Sequence, residues 1–118
     1  MISTRAVSLS THTVIEILAA PLLMAAPFFL GFGELAGAVS LALGAMLMGL
    51  AISTATDERA IPLSAHASFD YAIAVLTLIA GVFVGIAGNE PLATAFLVGF
   101  GAAHMALTAS TRFSARGA

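Results

Sequence analysis

Four runs of this chain are long, apolar and nearly free of charge: residues 14–32, 35–53, 69–87 and 91–109. Each is close to the ~20 residues an α-helix needs to cross the hydrocarbon core of a bilayer. The runs are continuous rather than alternating with period two, which favours helices over a transmembrane barrel. Only 8% of the residues are charged and the mean hydropathy is +1.08. A water-facing surface of this size would need about 25% charged residues. The chain therefore reads as an all-α membrane protein with four transmembrane helices.

Charge sign orders what lies between the runs. Arg5, Arg59, Arg112 and Arg116 fall in the N-terminal arm, the middle loop or the C-terminal tail, whereas the two tight loops carry only Glu34 and Glu90. The positive-inside rule then places both termini and the middle loop in the cytoplasm. Residues 1–32 read as a retained first helix rather than a signal peptide, because the apolar run is too long and Glu16 interrupts its start. Abundant Ala and Gly with short loops point to a bacterial inner (cytoplasmic) membrane. With no cysteine there is no disulfide, thiolate or iron–sulfur chemistry. No basic cluster is present to hold nucleic acid.

The chain also repeats itself. Leu9-Ser10-Thr11-His12 is echoed by Leu63-Ser64-Ala65-His66, and an acid follows each histidine by four residues, Glu16 and Asp70. This offset is 54, while Glu34 matches Glu90 at an offset of 56. A loop insertion would account for the slip. Two tandem helical hairpins follow, spanning roughly residues 9–54 and 63–110 of a single membrane domain. Because an even number of spans separates their starts, they form a parallel repeat about an axis along the membrane normal.

The string Ala25-Ala26-Pro27-Phe28-Phe29-Leu30-Gly31-Phe32 ends a helix that carries a carboxylate eleven residues before its proline. It resembles the SPW-repeat family of small bacterial membrane proteins, with Ala26-Pro27-Phe28 in place of Ser-Pro-Trp and Leu30-Gly31-Phe32 following. Gly81 stands where Pro27 would map in the second half, and the chain has no tryptophan. The resemblance implies the four-span, two-repeat layout and brings no catalytic residue with it.

Glu16, Asp70 and His104 are the acidic and histidine residues within the spans. An ionised carboxylate there is costly and is a functional candidate by default. The duplicated His-x-x-x-acid pattern puts each histidine and acid on one helix face. Around the pseudo-axis, His12, Glu16, His66 and Asp70 are candidate ligands for zinc or another transition metal. Local rules favour a structural alternative. Thr13 and Glu16 fit a capping box, and an acid in a first turn suits the helix dipole. His104 maps onto Met48 at the 56-residue offset and belongs to one half only. Its expected partners are a backbone group or Thr108, or else a carboxylate at similar depth, which would make Glu16, Asp70 and His104 the polar centre of the bundle.

Small residues give the last signal. Gly81 and Gly85 form a GxxxG in the third span, and Gly44, Gly49 and Gly99 lie in small-residue faces of the second and fourth. Such faces let helix backbones approach closely. Pro21 and Pro27 should bend the first helix and leave carbonyls for neighbouring helices to cover. The function expected from this inventory is non-enzymatic: a membrane protein acting by assembly, as a homo-oligomer or an accessory subunit, without a cofactor. The alternative is a small proton-coupled transporter or a metal- or ion-binding membrane protein using Glu16, Asp70 and His104.

Overall fold

The computed structural model describes residues 5–55 and 62–114. Asp57, Glu58 and Arg59 of the middle loop and Arg116 of the tail lie outside the described residues. Four helices follow in order: α1 (Leu9–Leu30), α2 (Glu34–Ala55), α3 (Leu63–Gly88) and α4 (Pro91–Ala109). All four are long and apolar enough to span a membrane. Their outward faces are apolar too, with Leu18, Phe28, Phe29, Ile79 and Ile86 all more than half exposed. That surface suits lipid rather than water.

α1 starts earlier than its apolar run. Ser8 is the N-cap and accepts a hydrogen bond from the Thr11 amide at 3.2 Å. Thr13 is therefore inside the helix, where its hydroxyl donates to the Leu9 carbonyl at 2.9 Å. The expected Thr13–Glu16 capping box does not form. Glu16 lies two turns past the true cap. At the other end, Gly31 takes the left-handed conformation with φ 69°, where a Cβ would be strained.

Pro27 removes the amide that would otherwise bond the Leu23 carbonyl. The Ser40 hydroxyl of α2 donates to that carbonyl at 2.5 Å. The exposed carbonyl is thus covered by the neighbouring helix, as a bilayer requires.

α1 packs along α2 and α3 along α4, with the two hairpins meeting more sparsely through α2–α3 and α1–α4. The hairpins use the same crossing. A Cβ at Gly44 would stand 3.0 Å from the Met24 amide nitrogen and 3.1 Å from the Ala20 carbonyl. A Cβ at Gly101 would meet Leu78 and Ala74 at the same 3.0 and 3.1 Å. Ala20 and Ala74 are 54 residues apart, but Gly44 and Gly101 are 57 apart. The parallel repeat is therefore real, and its second-helix register is 57 rather than 56. The structural counterpart of His104 is Leu47, not Met48, and that of Glu90 is Gly33, not Glu34. Those last two meet directly, the Gly33 amide donating to Glu90 Oε1 at 2.6 Å.

Gly81 and Gly85 pack against α4: a Cβ at Gly81 would lie 3.1 Å from Leu97 Cβ, and one at Gly85 would lie 3.5 Å from the Thr94 methyl. Gly49 and Gly99 meet nothing within 4 Å and lie on exposed faces, so they take no part in packing within the chain. Leu23, Ala36, Leu43, Val84, Ala93 and Leu97 form an apolar core cluster. The buried histidines and acids gather elsewhere, toward the end of the bundle where Val7 and Thr111 pair.

Candidate metal centre

The site begins with the helix period. Four residues make just over one turn, so His12 and Glu16 share a face of α1, and His66 and Asp70 share the equivalent face of α3. The pseudo-twofold turns these faces toward each other. All four residues are at most 1% exposed, and one ligand atom from each lies within 4.8 Å of all the others. His104 enters from α4 and closes the group.

The contacts converge on the two carboxylates. His12 Nε2 is 3.2 Å from Glu16 Oε2 and 3.1 Å from Asp70 Oδ2. His66 Nε2 is 3.4 Å from Glu16 Oε1 and 3.0 Å from Asp70 Oδ2. His104 Nε2 is 3.3 Å from Glu16 Oε2 and 2.9 Å from Asp70 Oδ1. In every ring it is Nε2 that points inward. Glu16, Asp70 and His104 thus form the expected polar centre, and the expected ligands His12, Glu16, His66 and Asp70 belong to the same cluster. The structural readings give way here. Glu16 does not cap α1, and His104 bonds the carboxylates while the Thr108 hydroxyl is left without a partner among the described residues.

Two threonines hold the rings. Thr111 Oγ1 donates to the Leu107 carbonyl at 2.6 Å and lies 2.7 Å from His12 Nδ1. Having given its single proton to the carbonyl, the hydroxyl receives the Nδ1–H of His12. Thr54 meets His66 in a similar way, donating to the Leu50 carbonyl at 3.2 Å and lying 2.6 Å from Nδ1 and 3.3 Å from Nε2 of the ring. The arrangement is exchanged between repeats: a threonine at the end of α2 orients the histidine of α3, and one just past α4 orients the histidine of α1. Neutral rings held in this tautomer turn bare Nε2 lone pairs toward carboxylate oxygens. Such a set of acceptors is stable only around a cation, either protons on the rings or a metal ion.

The nitrogen–oxygen spacing suits one ion, and the widest ligand pair, within 4.8 Å, would close to no more than ~4.2 Å around it. Ligand atoms ~2.1 Å from a metal stand ~3.0 Å apart at right angles and ~3.4 Å apart at the tetrahedral angle. The six nitrogen–oxygen distances run from 2.9 to 3.4 Å. Metal-bound histidines characteristically donate their other N–H to a fixed oxygen, as His12 and His66 do here.

Val7 and the segment after α4 close over the cluster. The Val7 amide donates to the Ser110 carbonyl, and the Arg112 amide donates to the Val7 carbonyl, both at 2.9 Å. This clasp brings Phe113 over the rings, at 5.2 Å from His12 and 6.0 Å from His66 between centroids. Thr54, Thr111 and Phe113 carried no sequence signal of their own. For the threonines, a clue lay in the repeat itself, since Thr54 and Thr111 stand 57 residues apart, in the register of Gly44 and Gly101.

No family model, curated protein or solved structure matches this chain. The resemblance to SPW-repeat proteins accordingly rests on the strings quoted above.

Proposed function

We propose that this protein holds one divalent first-row transition-metal ion inside the membrane, using His12, Glu16, His66, Asp70 and His104. The observation that carries this reading is the convergence of three inward Nε2 atoms on two carboxylates, all buried. A mixed imidazole–carboxylate set without thiolate suits zinc, iron(II), manganese or cobalt rather than copper(I). The protonated cluster is the metal-free state, and an entering ion displaces protons. This makes the chain an ion-binding membrane protein, the alternative named above. Self-association is retained as a separate proposal for the outer faces bearing Gly49 and Gly99.

The test is elemental analysis of protein purified from membranes without chelator, followed by titration of chelator-stripped protein. The expected result is one transition-metal ion per chain, lost in His12→Ala and His66→Ala. Absence of a stoichiometric metal in both measurements overturns the reading. The proposed orientation, both termini in the cytoplasm of a bacterial inner-membrane protein, is supported by Arg5, Arg59, Arg112 and Arg116. A reporter fused after the last residue should be active on the cytoplasmic side; activity on the far side would reverse the orientation.

A further inference from the structure

A buried ion site needs a way in, and the cluster is walled differently on its different sides. Leu23 and Leu97 lie seven residues deeper along α1 and α4 than Glu16 and His104, about two helical turns, and both are fully buried. With Leu43 and Val84 they fill the bundle beyond the cluster. Around its flanks stand helices whose outward faces are apolar. An ion arriving by either route would have to shed its water among apolar groups, which is costly. Over the rings of His12 and His66 the cover is of another kind. Phe113 belongs to no helix, is only partly buried, and meets His12 and His66 with ring centroids 5.2 and 6.0 Å away.

What holds Phe113 in place is slight. Val7 and Thr111 form an isolated bridge, closed by the Val7–Ser110 and Arg112–Val7 backbone bonds. Arg112 Nη1 adds a bond to the Arg5 carbonyl at 3.1 Å, and Arg5 Nη1 reaches the Thr111 carbonyl at 3.5 Å. Segments held by few bonds outside regular structure open far more readily than a helical core. The bridge is also tied to the cluster. Thr111, opposite Val7, is the residue whose hydroxyl lies 2.7 Å from His12 Nδ1. Its counterpart Thr54 sits within α2 and meets His66 from a helix. Lifting the clasp therefore uncovers both rings and takes the orienting oxygen from one of them.

We propose that the clasp is the gate of the metal centre: the ion enters and leaves past Phe113, and opening frees His12 in the same movement. An ion passing between the two rings meets Asp70 Oδ2, which is 3.1 Å from His12 Nε2 and 3.0 Å from His66 Nε2. Entry and exit share this path, so the gate sets how fast metal exchanges rather than how tightly it is held. As the regulation of the same centre, the inference rests on the proposed metal reading.

The test uses the full chain in phosphatidylcholine nanodiscs, with cobalt(II) uptake and its loss to excess chelator followed by visible absorption. Phe113→Ala should speed both uptake and loss by about tenfold while the dissociation constant moves by less than about threefold. Phe113→Tyr keeps the ring and should keep the parent rates. Val7→Pro removes the amide that bonds Ser110 and should also speed both steps. A second readout needs no metal: carbethoxylation of metal-free protein by diethyl pyrocarbonate, read by mass spectrometry. Phe113→Ala should raise labelling of His12 and His66 and leave His104 at its parent level. Unchanged cobalt rates, faster loss matched by an equal fall in affinity, or an equal rise in labelling at all three histidines overturns the gate. Cobalt binding with unchanged rates in both Phe113→Ala and Val7→Pro would leave the metal reading standing. The expected labelling pattern in a protein that takes up no metal would overturn the metal reading and leave the clasp as the cover of the histidines.

Discussion

At the residue scale, the site depends on which nitrogen of each imidazole carries a proton. Thr54 and Thr111 decide this for His66 and His12 because each hydroxyl has already given its proton to a backbone carbonyl. Replacing either with valine keeps the shape and removes the acceptor. Thr54→Val and Thr111→Val should each lower metal affinity by about 10- to 100-fold, read by competition with a chelator. Near-equal losses are expected, since the repeat makes the two positions equivalent. His104 is the asymmetric member of the proposed ligand set. In the register of Gly44 and Gly101, leucine occupies its seat in the first repeat, so His104→Leu should leave a folded bundle with weaker metal binding. A thermal melt close to the parent with full metal affinity would remove His104 from the ligand set.

At the element scale, α1 tolerates Pro27 because α2 supplies a donor. Interhelical hydrogen bonds in bilayers average ~0.6 kcal/mol and reach ~1.7 kcal/mol. The Ser40–Leu23 bond belongs near the upper end, because the carbonyl has lost its own helical partner to Pro27. Ser40→Ala should destabilise the protein by about 1–2 kcal/mol. In a Pro27→Ala background, where an amide returns, the same change should cost much less. A double-mutant cycle with no coupling would show that the bond does not compensate the proline.

At the scale of the whole molecule, the glycines divide into two groups. Gly44 and Gly101 sit where a Cβ would press on backbone atoms of the partner helix, whereas Gly49 and Gly99 face outward. Gly44→Ile and Gly101→Ile should therefore lower stability by about 1–3 kcal/mol or more through forced separation of the helices. Gly49→Ile and Gly99→Ile should leave the monomer's melting temperature nearly unchanged. If the outer faces mediate self-association, the latter pair alone will shift the mass distribution in lipid toward monomer. An unchanged distribution would assign those glycines no interface.

The sequence by itself determined the solvent, the number of helices, the hairpin repeat and the cluster's main candidates. These properties are local or periodic: hydrophobic length sets a span, and a spacing of four sets a shared helix face. It also held the polar centre of Glu16, Asp70 and His104, because depth can be counted along a helix. Tertiary structure decided where those residues meet. Local rules made Glu16 a cap, and only the Ser8 N-cap moved it into the interior. The offset of 56 came from two loop acids, while the true register of 57 is set by where glycines let backbones touch. The threonine ties join residues 99 and 12 positions apart in the chain. No window along the sequence contains the first of them. Bringing the five side chains together requires two helix faces to rotate toward one axis, and that rotation is fixed by packing between the hairpins.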